Sequence, residues 1–500
     1  MTGLPSGGPS RTMGRKPSFG DGGRNNDARM DMLDPTSRRS FIKNALTAGI
    51  ALAGSTHFGC AGPAGRRKTE PQAAAPPARP KLERPTEPTP YSGLRIAYVG
   101  TGGIGGHHLE ETYKHGVQCP CFCDVDHNRM ARFAEAFPEA RPYQDYRELF
   151  DREHQNFDAV MIGVPDHHHY PATISAMQLG KHVYTQKPLT HTVWEARQLA
   201  LAAQKYKVAT QMGNQGHANE GKRLVYEFVN SGALGDILEV HTWTDRPIWP
   251  QGVDRPEGED AVPANLDWDV WLGPAPLRPF KEKTYHPFNW RGWLDFGCGA
   301  LGDMACHTMD CMFWALDPGH AIAVEPLALC PVNDETYPKA SMIRWEFPPR
   351  GQRPGFAAYW YDGGLMPPLP VSLEFGRKLG QTGNIFLGTK ASLLVQGDYG
   401  ESVRVFPESK MQEIGKPPKL LERSPGHFIE WLGAAVGEKP LDFPKSNFAY
   451  AAPLTETVLL GNIALRLGRR LEWDGESLQF TNVPEANALV TKEYRDGWKM

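Results

Sequence analysis

Short apolar runs alternate with longer amphipathic stretches between residues 94 and 212, and this alternation predicts strands separated by helices. Buried strands are expected at 94–99, 117–123, 157–164, 182–185 and 208–212, with helices at 171–179 and 194–206. Strands that alternate with helices of this length form a parallel sheet. Ligands of such sheets bind at the carboxyl ends of the strands, so the loops that follow these runs are the first candidates for a site.

The pattern changes after residue 215. A helix is expected at 219–230, and the segment 237–243 alternates apolar and polar residues as a half-exposed strand does. Further strands are expected at 341–347, 357–361 and 384–387, and a C-terminal helix at 453–467. The chain therefore contains a second region of mixed helices and strands.

A long stretch without regular periodicity, 246–296, interrupts this second region. Stretches of this kind are usually functional or buried in an interface. Two interpretations stay open: its aromatic rings line the mouth of a substrate site and stack on a sugar, or they are buried between subunits. The rings belong to Trp249, Trp268, Trp271, Tyr285, Trp290 and Trp293.

Composition narrows the possible partners. The chain has 500 residues, 40% of them hydrophobic, and a formal net charge of −3. Without a concentrated basic stretch in its folded part, it does not have the charge pattern of a nucleic-acid-binding protein.

Cys119, Cys121 and Cys123 alternate along one expected strand, so their side chains should share one face. Buried small side chains are favoured there over a metal site, and no metal site is predicted.

Residues 1–60 have the pattern of an export signal. The segment 37–43, Ser-Arg-Arg-Ser-Phe-Ile-Lys, resembles the twin-arginine motif, and the apolar stretch 45–53 after it is too short to span a bilayer. Residues 61–92 are rich in proline and predict a semi-extended linker. We expect a periplasmic protein without a stable membrane span. A lipoprotein attached at Cys60 is the alternative, although the three preceding residues make a poor lipidation signal.

A glycine-rich loop follows the first strand and indicates a dinucleotide site. Residues 100–105 match G-x-G-x-x-G: Gly100 permits the tight turn, Gly102 lets the backbone approach a pyrophosphate, and Gly105 lets the next helix pack closely. Asp124 ends the second strand, where a carboxylate accepts hydrogen bonds from a ribose and repels a 2′-phosphate. NAD is therefore expected rather than NADP. The loop residues expected to contact it are Gly100, Gly102, Gly103, Ile104 and Gly105.

Two later loops lie at the same edge of the expected sheet. One contains Pro165 and three successive histidines, of which His169 is expected to face the cofactor or cap a helix. Three successive side chains cannot point the same way, so a zinc site made from this run is not expected. The last strand ends at Asn214, which is also expected at the cofactor.

Two further motifs resemble those of the Gfo/Idh/MocA family, which includes glucose–fructose oxidoreductase and inositol dehydrogenase. They are Gln186-Lys187-Pro188 and the segment 299–307, which contains Asp303 and His307. The resemblance extends from Leu94 to the C-terminus. It implies an α/β protein with an N-terminal Rossmann domain (93–215) and a C-terminal α/β domain (216–500) with an open, mostly antiparallel sheet. That sheet is also an oligomer surface in the family, so a homo-oligomer is expected.

The resemblance further implies that Lys187, Asp303 and His307 are catalytic and that Gln186 and Lys187 lie beside the cofactor. The family has glutamate where this chain has Gln186. A missing carboxylate should make Lys187 easier to deprotonate. Asp303 and His307 are four residues apart, which places both on one face of a helix.

This constellation fits the oxidation of an alcohol, in which a base removes the hydroxyl proton as hydride leaves the carbon. We assign His307 to proton transfer and Lys187 to the same oxygen, while Asp303 orients His307 or binds a neighbouring hydroxyl. The predicted function is NAD(H)-dependent hydride transfer at the CH–OH group of a sugar, glycoside or cyclitol. The alternatives are an NAD-dependent glycosidase that works through transient oxidation and elimination, and a sugar-binding protein without turnover.

Overall fold

The computed structural model describes residues 82–499, so the predicted export signal and most of the predicted linker lie outside the described residues. Six short strands form the parallel sheet that the apolar runs predicted, in the order β3-β2-β1-β4-β5-β6. Its elements are β1 Ile96–Val99, α1 Ile104–Tyr113, β2 Cys121–Cys123, α2 His127–Ala136, β3 Arg141–Tyr143, α3 Tyr146–Glu153, β4 Ala159–Ile162, α4 His169–Gln178, β5 His182–Thr185, α5 Val193–Tyr206 and β6 Thr210–Met212. The strand order reverses between β1 and β4, which is where such sheets bind dinucleotides.

The strand β3 and the helices α2 and α3 of this domain were not predicted. The edge strand β3 has only three residues, none of them buried, so it has no apolar run to reveal it. The helix α3 has eight residues, and its buried side chains Tyr146, Leu149, Phe150 and Glu153 follow the helical period, so its pattern could have been recognised. Only β3 lacks the buried apolar side chains by which periodicity detects an element.

The expectation that three cysteines share one face was wrong for Cys119. All three are buried, but Cys121 and Cys123 pack in one core cluster, whereas Cys119 packs with Phe122 in another. The chain bends at Pro120 just before β2, and this bend interrupts the alternation of side chains that a continuous strand would have.

The second half of the described chain forms a sheet of nine strands, in the order β13-β12-β11-β7-β10-β9-β8-β14-β15. All neighbouring pairs are antiparallel except β7 with β10, which confirms the mostly antiparallel sheet. The elements are α6 Glu220–Asn230, β7 Ile237–Trp243, α7 Trp268–Leu272, α8 Gly299–Thr308, α9 Asp310–Leu316, β8 Ala323–Leu329, β9 Ser341–Phe347, β10 Phe356–Tyr361, β11 Gly383–Gly388, β12 Ser392–Gln396, β13 Ser402–Phe406, α10 Glu408–Ile414, α11 His427–Ala435, α12 Phe448–Leu467, β14 Leu471–Asp474 and β15 Gln479–Phe480.

The long helix α12 joins the two halves of the core, because it packs against both α5 and α8. It begins five residues before the expected start at Pro453, since the Asn447 side chain accepts hydrogen bonds from the amides of Ala449 and Tyr450. Within residues 82–499 it is the one helix with the length and hydropathy of a membrane span. Its apolar window is 83% buried in the protein, as in a core helix.

The stretch 246–296 is not structureless, because its aromatic side chains form a core of their own. Trp268 and Trp271 stack with ring centroids 4.6 Å apart, and Tyr285 packs edge-on against Trp293. Three of its indoles, those of Trp249, Trp271 and Trp290, also line a cleft. The segment is therefore a small packed unit that presents one edge to the site.

Candidate active site

A cleft of about 780 Å³ opens at the carboxyl ends of β1, β2, β4 and β5, with α8 and the aromatic segment on its other side. The structure brings together here most of the residues that the sequence predicted. They are Gly100, Gly102, Gly103, Ile104, Asp124, Pro165, His169, Gln186, Lys187, Asp303 and His307. Gly105 and Asn214 do not line it. Placement in one cleft leaves the chemical role of each residue as a prediction.

The glycine loop closes in a way that only glycine permits. Gly100 has φ +86°, and a Cβ on it would lie 2.5 Å from the Gly163 carbonyl oxygen. A Cβ on Gly105 would lie 2.0 Å from the Gly100 carbonyl oxygen, so α1 packs directly onto the turn. The N-cap residue of α1, Gly103, makes no side-chain capping hydrogen bond, while the amides of Gly105 and Gly106 donate to the carbonyl oxygens of Gly102 and Gly103. No side chain of the cap therefore competes with the phosphates of a dinucleotide at the start of this helix.

Asp124 lies against this loop. Its Oδ2 accepts hydrogen bonds from the amides of Thr101 (2.8 Å) and Gly102 (3.1 Å). Arg129, which the sequence reasoning missed, lies over Gly102 and forms an ion pair of 3.4 Å with Asp126. A carboxylate bonded to a glycine loop at the start of a helix is the arrangement that holds a ribose beside a pyrophosphate, so the residues present fit NAD.

At the other end of the cleft, a buried carboxylate holds two cations. Lys187 Nζ donates to Asp303 Oδ1 (2.8 Å) and to the Asp303 carbonyl oxygen (2.7 Å). The Nε of Arg291 donates to the same Oδ1 at 3.1 Å. Burial alone would raise the pKa of Asp303, but Lys187 and Arg291 outweigh it and hold that pKa well below the ordinary value. Asp303 is therefore a permanent anion that positions Lys187.

His307 lies one turn along α8 from Asp303 and faces the same cleft. The two share no hydrogen bond among the contacts of the described residues, so Asp303 fixes Lys187 more directly than it fixes His307. Burial lowers the pKa of His307 to about 3, and the neighbouring Lys187 acts in the same direction. The imidazole is neutral at pH 7, and its buried Nδ1 has no hydrogen-bond partner within the described part of the chain.

Gln186 turns away from Lys187. Its Nε2 lies 2.9 Å from Nε2 of His108, a ring that is fully buried under the glycine loop. Burial lowers the pKa of His108 to about 3, so its ring is neutral and accepts this hydrogen bond. The carboxylate partner of Lys187 in this chain is thus Asp303, from the other domain, rather than its neighbour at 186.

The three successive histidines mainly hold loops together. His169 places its Nδ1 2.7 Å from the Pro188 carbonyl oxygen and its Nε2 2.9 Å from that of Val164. His167 and His168 both contact the carbonyl oxygen of Trp271. Across residues 82–499, no group of three or more His, Cys, Asp or Glu side chains is arranged to hold a metal ion.

Asn214 lies behind the cleft. Its Nδ2 is 3.2 Å from Asp310 Oδ1, and its Oδ1 accepts from the Ser446 hydroxyl at 2.5 Å. Its contact with a cofactor stays a prediction. The same buried cluster contains Lys222, whose Nζ donates to the His307 carbonyl oxygen at 2.5 Å and thereby supports the end of α8.

Sequence reasoning missed several residues of the cleft. Tyr399, from the turn after β12, places its ring edge-on to His307 with centroids 5.1 Å apart, and no local pattern signals it. Arg291 belongs to the aperiodic aromatic segment, and no sequence pattern marks it as a site residue either. Asp166 could have been found, because it follows Pro165 at the carboxyl end of an expected strand.

Comparison with known proteins agrees with this architecture. The family model "Oxidoreductase family, NAD-binding Rossmann fold" matches residues 94–214, and "Oxidoreductase family, C-terminal alpha/beta domain" matches residues 222–335. An α-N-acetylgalactosaminidase of Shewanella oneidensis is 28% identical over 214 residues, which are 40% of this chain and 44% of that protein. An inositol 2-dehydrogenase of Salmonella paratyphi B is 28% identical over 152 residues, 30% of this chain and 45% of that protein. The matches span less than half the length of these relatives.

Solved structures show the same fold at low identity. The WlbA dehydrogenase of Bordetella pertussis, in complex with NADH and UDP-GlcNAcA, is 17% identical and covers 76% of this chain and 99% of its own, with a TM-score of 0.54. The aldose–aldose oxidoreductase of Caulobacter crescentus is 17% identical, with coverages of 76% and 99% and a TM-score of 0.51. The two matched models show that residues 94–214 and 222–335 are the NAD-binding and C-terminal domains of the Gfo/Idh/MocA oxidoreductase family, and the solved structures show the same fold.

Proposed function

We propose that this protein is an NAD(H)-dependent oxidoreductase that transfers hydride to or from the CH–OH group of a sugar, glycoside or cyclitol. One observation carries the proposal. An ammonium group, an anion that positions it and a neutral imidazole face the same cleft as a glycine loop with its acidic partner.

Each side chain has a distinct task in this reaction. NAD(H), when bound, supplies the hydride acceptor or donor. Lys187 donates a hydrogen bond to the reacting oxygen and is held in place by Asp303. The neutral ring of His307 accepts the hydroxyl proton. Aromatic rings of the segment 246–296, together with Tyr399, provide flat apolar surface for a sugar ring.

Native purification followed by release and identification of bound nucleotide tests the cofactor. Incubation with a panel of sugars, glycosides and cyclitols, followed by the absorbance of NADH, tests the reaction. We expect NAD(H) and at least one substrate that changes this absorbance. Bound NAD(H) without turnover on any substrate would favour a sugar-binding protein, and failure to bind any dinucleotide would refute the proposal.

An NAD-dependent glycosidase is the second candidate. It is favoured by the relatives named glycosyl hydrolase family 109 protein and α-N-acetylgalactosaminidase, each 28% identical over 214 residues. In that reaction, transient oxidation acidifies a neighbouring C–H bond and permits elimination of the aglycone. A p-nitrophenyl glycoside separates the two candidates, because p-nitrophenol release without a net change in NADH identifies the glycosidase.

We also propose export to the periplasm by the twin-arginine route, supported by the segment 37–43. Replacing Arg38 and Arg39 with lysine is expected to keep most of the protein in the cytoplasm, measured by fractionation and immunoblot. The chain offers a matched control in Arg66 and Arg67, a second arginine pair outside the motif, whose replacement should leave export unchanged. Equal export of both variants would contradict the proposal.

A homo-oligomer remains part of the proposal. It is supported by the fully exposed side chains of Val371 and Phe375, which lie between β10 and β11 of the open sheet. Sedimentation of the purified protein would measure the mass directly, and a monomer at micromolar concentration would contradict it.

A further inference from the structure

A second carboxyl group, that of Asp166, lies in the cleft beside the Lys187–Asp303 pair. It lines the cleft but is only 4% exposed, because the loop after β4 carries it inward. Its Oδ2 accepts a hydrogen bond of 3.0 Å from the amide of Cys298, the residue that precedes α8. Asp166 thus connects the Rossmann domain to the start of the helix that bears Asp303 and His307.

The charges around Asp166 come from both domains. The positive charges of Lys187, in the loop after β5, and Arg291, in the aromatic segment, favour the ionised form of Asp166. The negative charge of Asp303 on α8 opposes it. Burial and, in addition, the charge of Asp166 raise the pKa values of Cys298, Cys306 and Tyr337. Asp166 therefore shares Lys187 with Asp303 but does not have a hydrogen bond of its own from that ammonium group among the described contacts.

The pKa values of the two carboxyl groups are shifted in opposite directions. The cations hold the pKa of Asp303 well below its ordinary value, whereas burial raises the pKa of Asp166 to about 7. A pair of carboxyl groups separated in this way divides the work between a fixed anion and a group that takes up and releases a proton. His307 cannot store a proton at neutral pH, because its pKa is lowered to about 3.

The remaining acids of the cleft are poorly placed for this task. Asp124 is bonded to the glycine loop at the dinucleotide end, and Asp398 lies in the exposed turn after β12. Residue 186, beside Lys187, is an amide that pairs with His108. Asp166 is the buried acid that remains.

We infer that Asp166 is the final acceptor of the proton released when the substrate hydroxyl is oxidised. This inference rests on the proposed dehydrogenase function. The proton that leaves the substrate hydroxyl ends on the Asp166 carboxylate, and His307 and the Lys187 ammonium group are the groups of the cleft that can pass it on. The C–H bond breaks with its electron pair going to NAD⁺. The balance is alcohol, NAD⁺ and carboxylate on one side, and carbonyl compound, NADH and carboxylic acid on the other.

The variant Asp166→Asn tests this role, because the amide oxygen can still accept from Cys298 but cannot take up the proton. We expect turnover at pH 7 to fall about 100-fold. In the wild type the oxidation rate should rise with pH through an apparent pKa near 7, and in the variant this rise should be absent. NADH binding, measured by fluorescence, should change little. Loss of turnover in Asp166→Ala with full turnover in Asp166→Asn would show a structural role only and overturn the inference.

Thermal unfolding without added cofactor gives a second readout. A carboxyl whose pKa is higher in the folded than in the unfolded state stabilises the fold at low pH, and this stabilisation is lost as pH rises through 7. The Tm of Asp166→Asn relative to wild type should therefore rise by several degrees between pH 4 and pH 8. If wild type oxidised no substrate, the proposed function would fail, but a flat Tm difference would separately refute proton uptake by Asp166.

Asp362 supplies the matched control. It is also buried, burial also raises its pKa to about 7, and its partners are Ser341 and Trp360 in the sheet of the second domain. Asp362→Asn should change the pH dependence of Tm in the same direction but leave the pH profile of turnover as in wild type. A profile that lost its rise in both variants would overturn the assignment to Asp166.

Discussion

Replacing His307 with alanine is expected to slow turnover about 100- to 1,000-fold while NADH affinity stays within about threefold of wild type. The imidazole accepts the proton as hydride leaves, so its loss raises the barrier of the chemical step. Among the contacts of residues 82–499, its ring lies edge-on to Tyr399 and has no hydrogen bond to the glycine loop that would bind the dinucleotide. The measurements are steady-state rates with the best substrate of the panel and NADH fluorescence titration.

The control for this variant is His320→Ala, which removes an imidazole that is 39% exposed and paired with Glu456 at 2.8 Å, away from the cleft. Its rate should equal that of wild type. Full activity of His307→Ala would remove His307 from the mechanism. An equal loss in both variants would indicate that the effect comes from stability and not from proton transfer.

Replacing Gly105 with alanine is expected to lower NAD affinity at least ~100-fold, which corresponds to about 2.7 kcal/mol of binding free energy. The added Cβ would lie 2.0 Å from the Gly100 carbonyl oxygen, which belongs to backbone and cannot rotate away as a side chain would. Either α1 moves outward or the turn opens, and both changes displace the amides that would hold the pyrophosphate. The free energy of unfolding should also fall by about 3 kcal/mol.

The adjacent Gly106 is a matched control. A Cβ there would lie 3.3 Å from Nη1 of Arg132, the far end of a flexible side chain. Gly106→Ala should leave NAD affinity unchanged, and it should not lower stability because alanine favours a helix over glycine. Isothermal titration and thermal unfolding measure both variants. Wild-type NAD binding by Gly105→Ala would refute the proposed geometry of the loop.

Local rules explain why much of the Rossmann domain could be predicted from sequence. The strand at His182–Thr185 was predicted with its observed bounds, as was Ile237–Trp243 in the second domain. The glycine loop was recognisable because φ and close packing at Gly100 and Gly105 exclude other residues there. The resemblance to the family drew attention to Asp303 and His307, and their spacing of four residues predicted that they share one face of a helix.

Contacts between distant parts of the chain could not be read in this way. Lys187 meets Asp303 across 116 residues of sequence, and Gln186 meets His108 across 78. Neither pairing has a signature in composition or period. The first depends on how α8 docks against the loop after β5, and the second on how α1 packs against the same loop. Arg291 and Tyr399 reach the cleft from an aperiodic segment and a turn, where no pattern marks a functional side chain.

The sequence by itself therefore determined the glycine loop, the acidic residue at the end of the second strand and the positions of the principal strands along the chain. These features depend on backbone sterics and on the period of buried side chains, both of which act over a few residues. Lys187, Asp303 and His307 were singled out by the resemblance to the family, and their roles stay a prediction. The tertiary structure alone decided the electrostatics of the site. Burial and opposing cations make Asp303 a fixed anion, leave His307 neutral and bring Asp166 to titrate near neutrality, since a charge responds to every group packed around it in space.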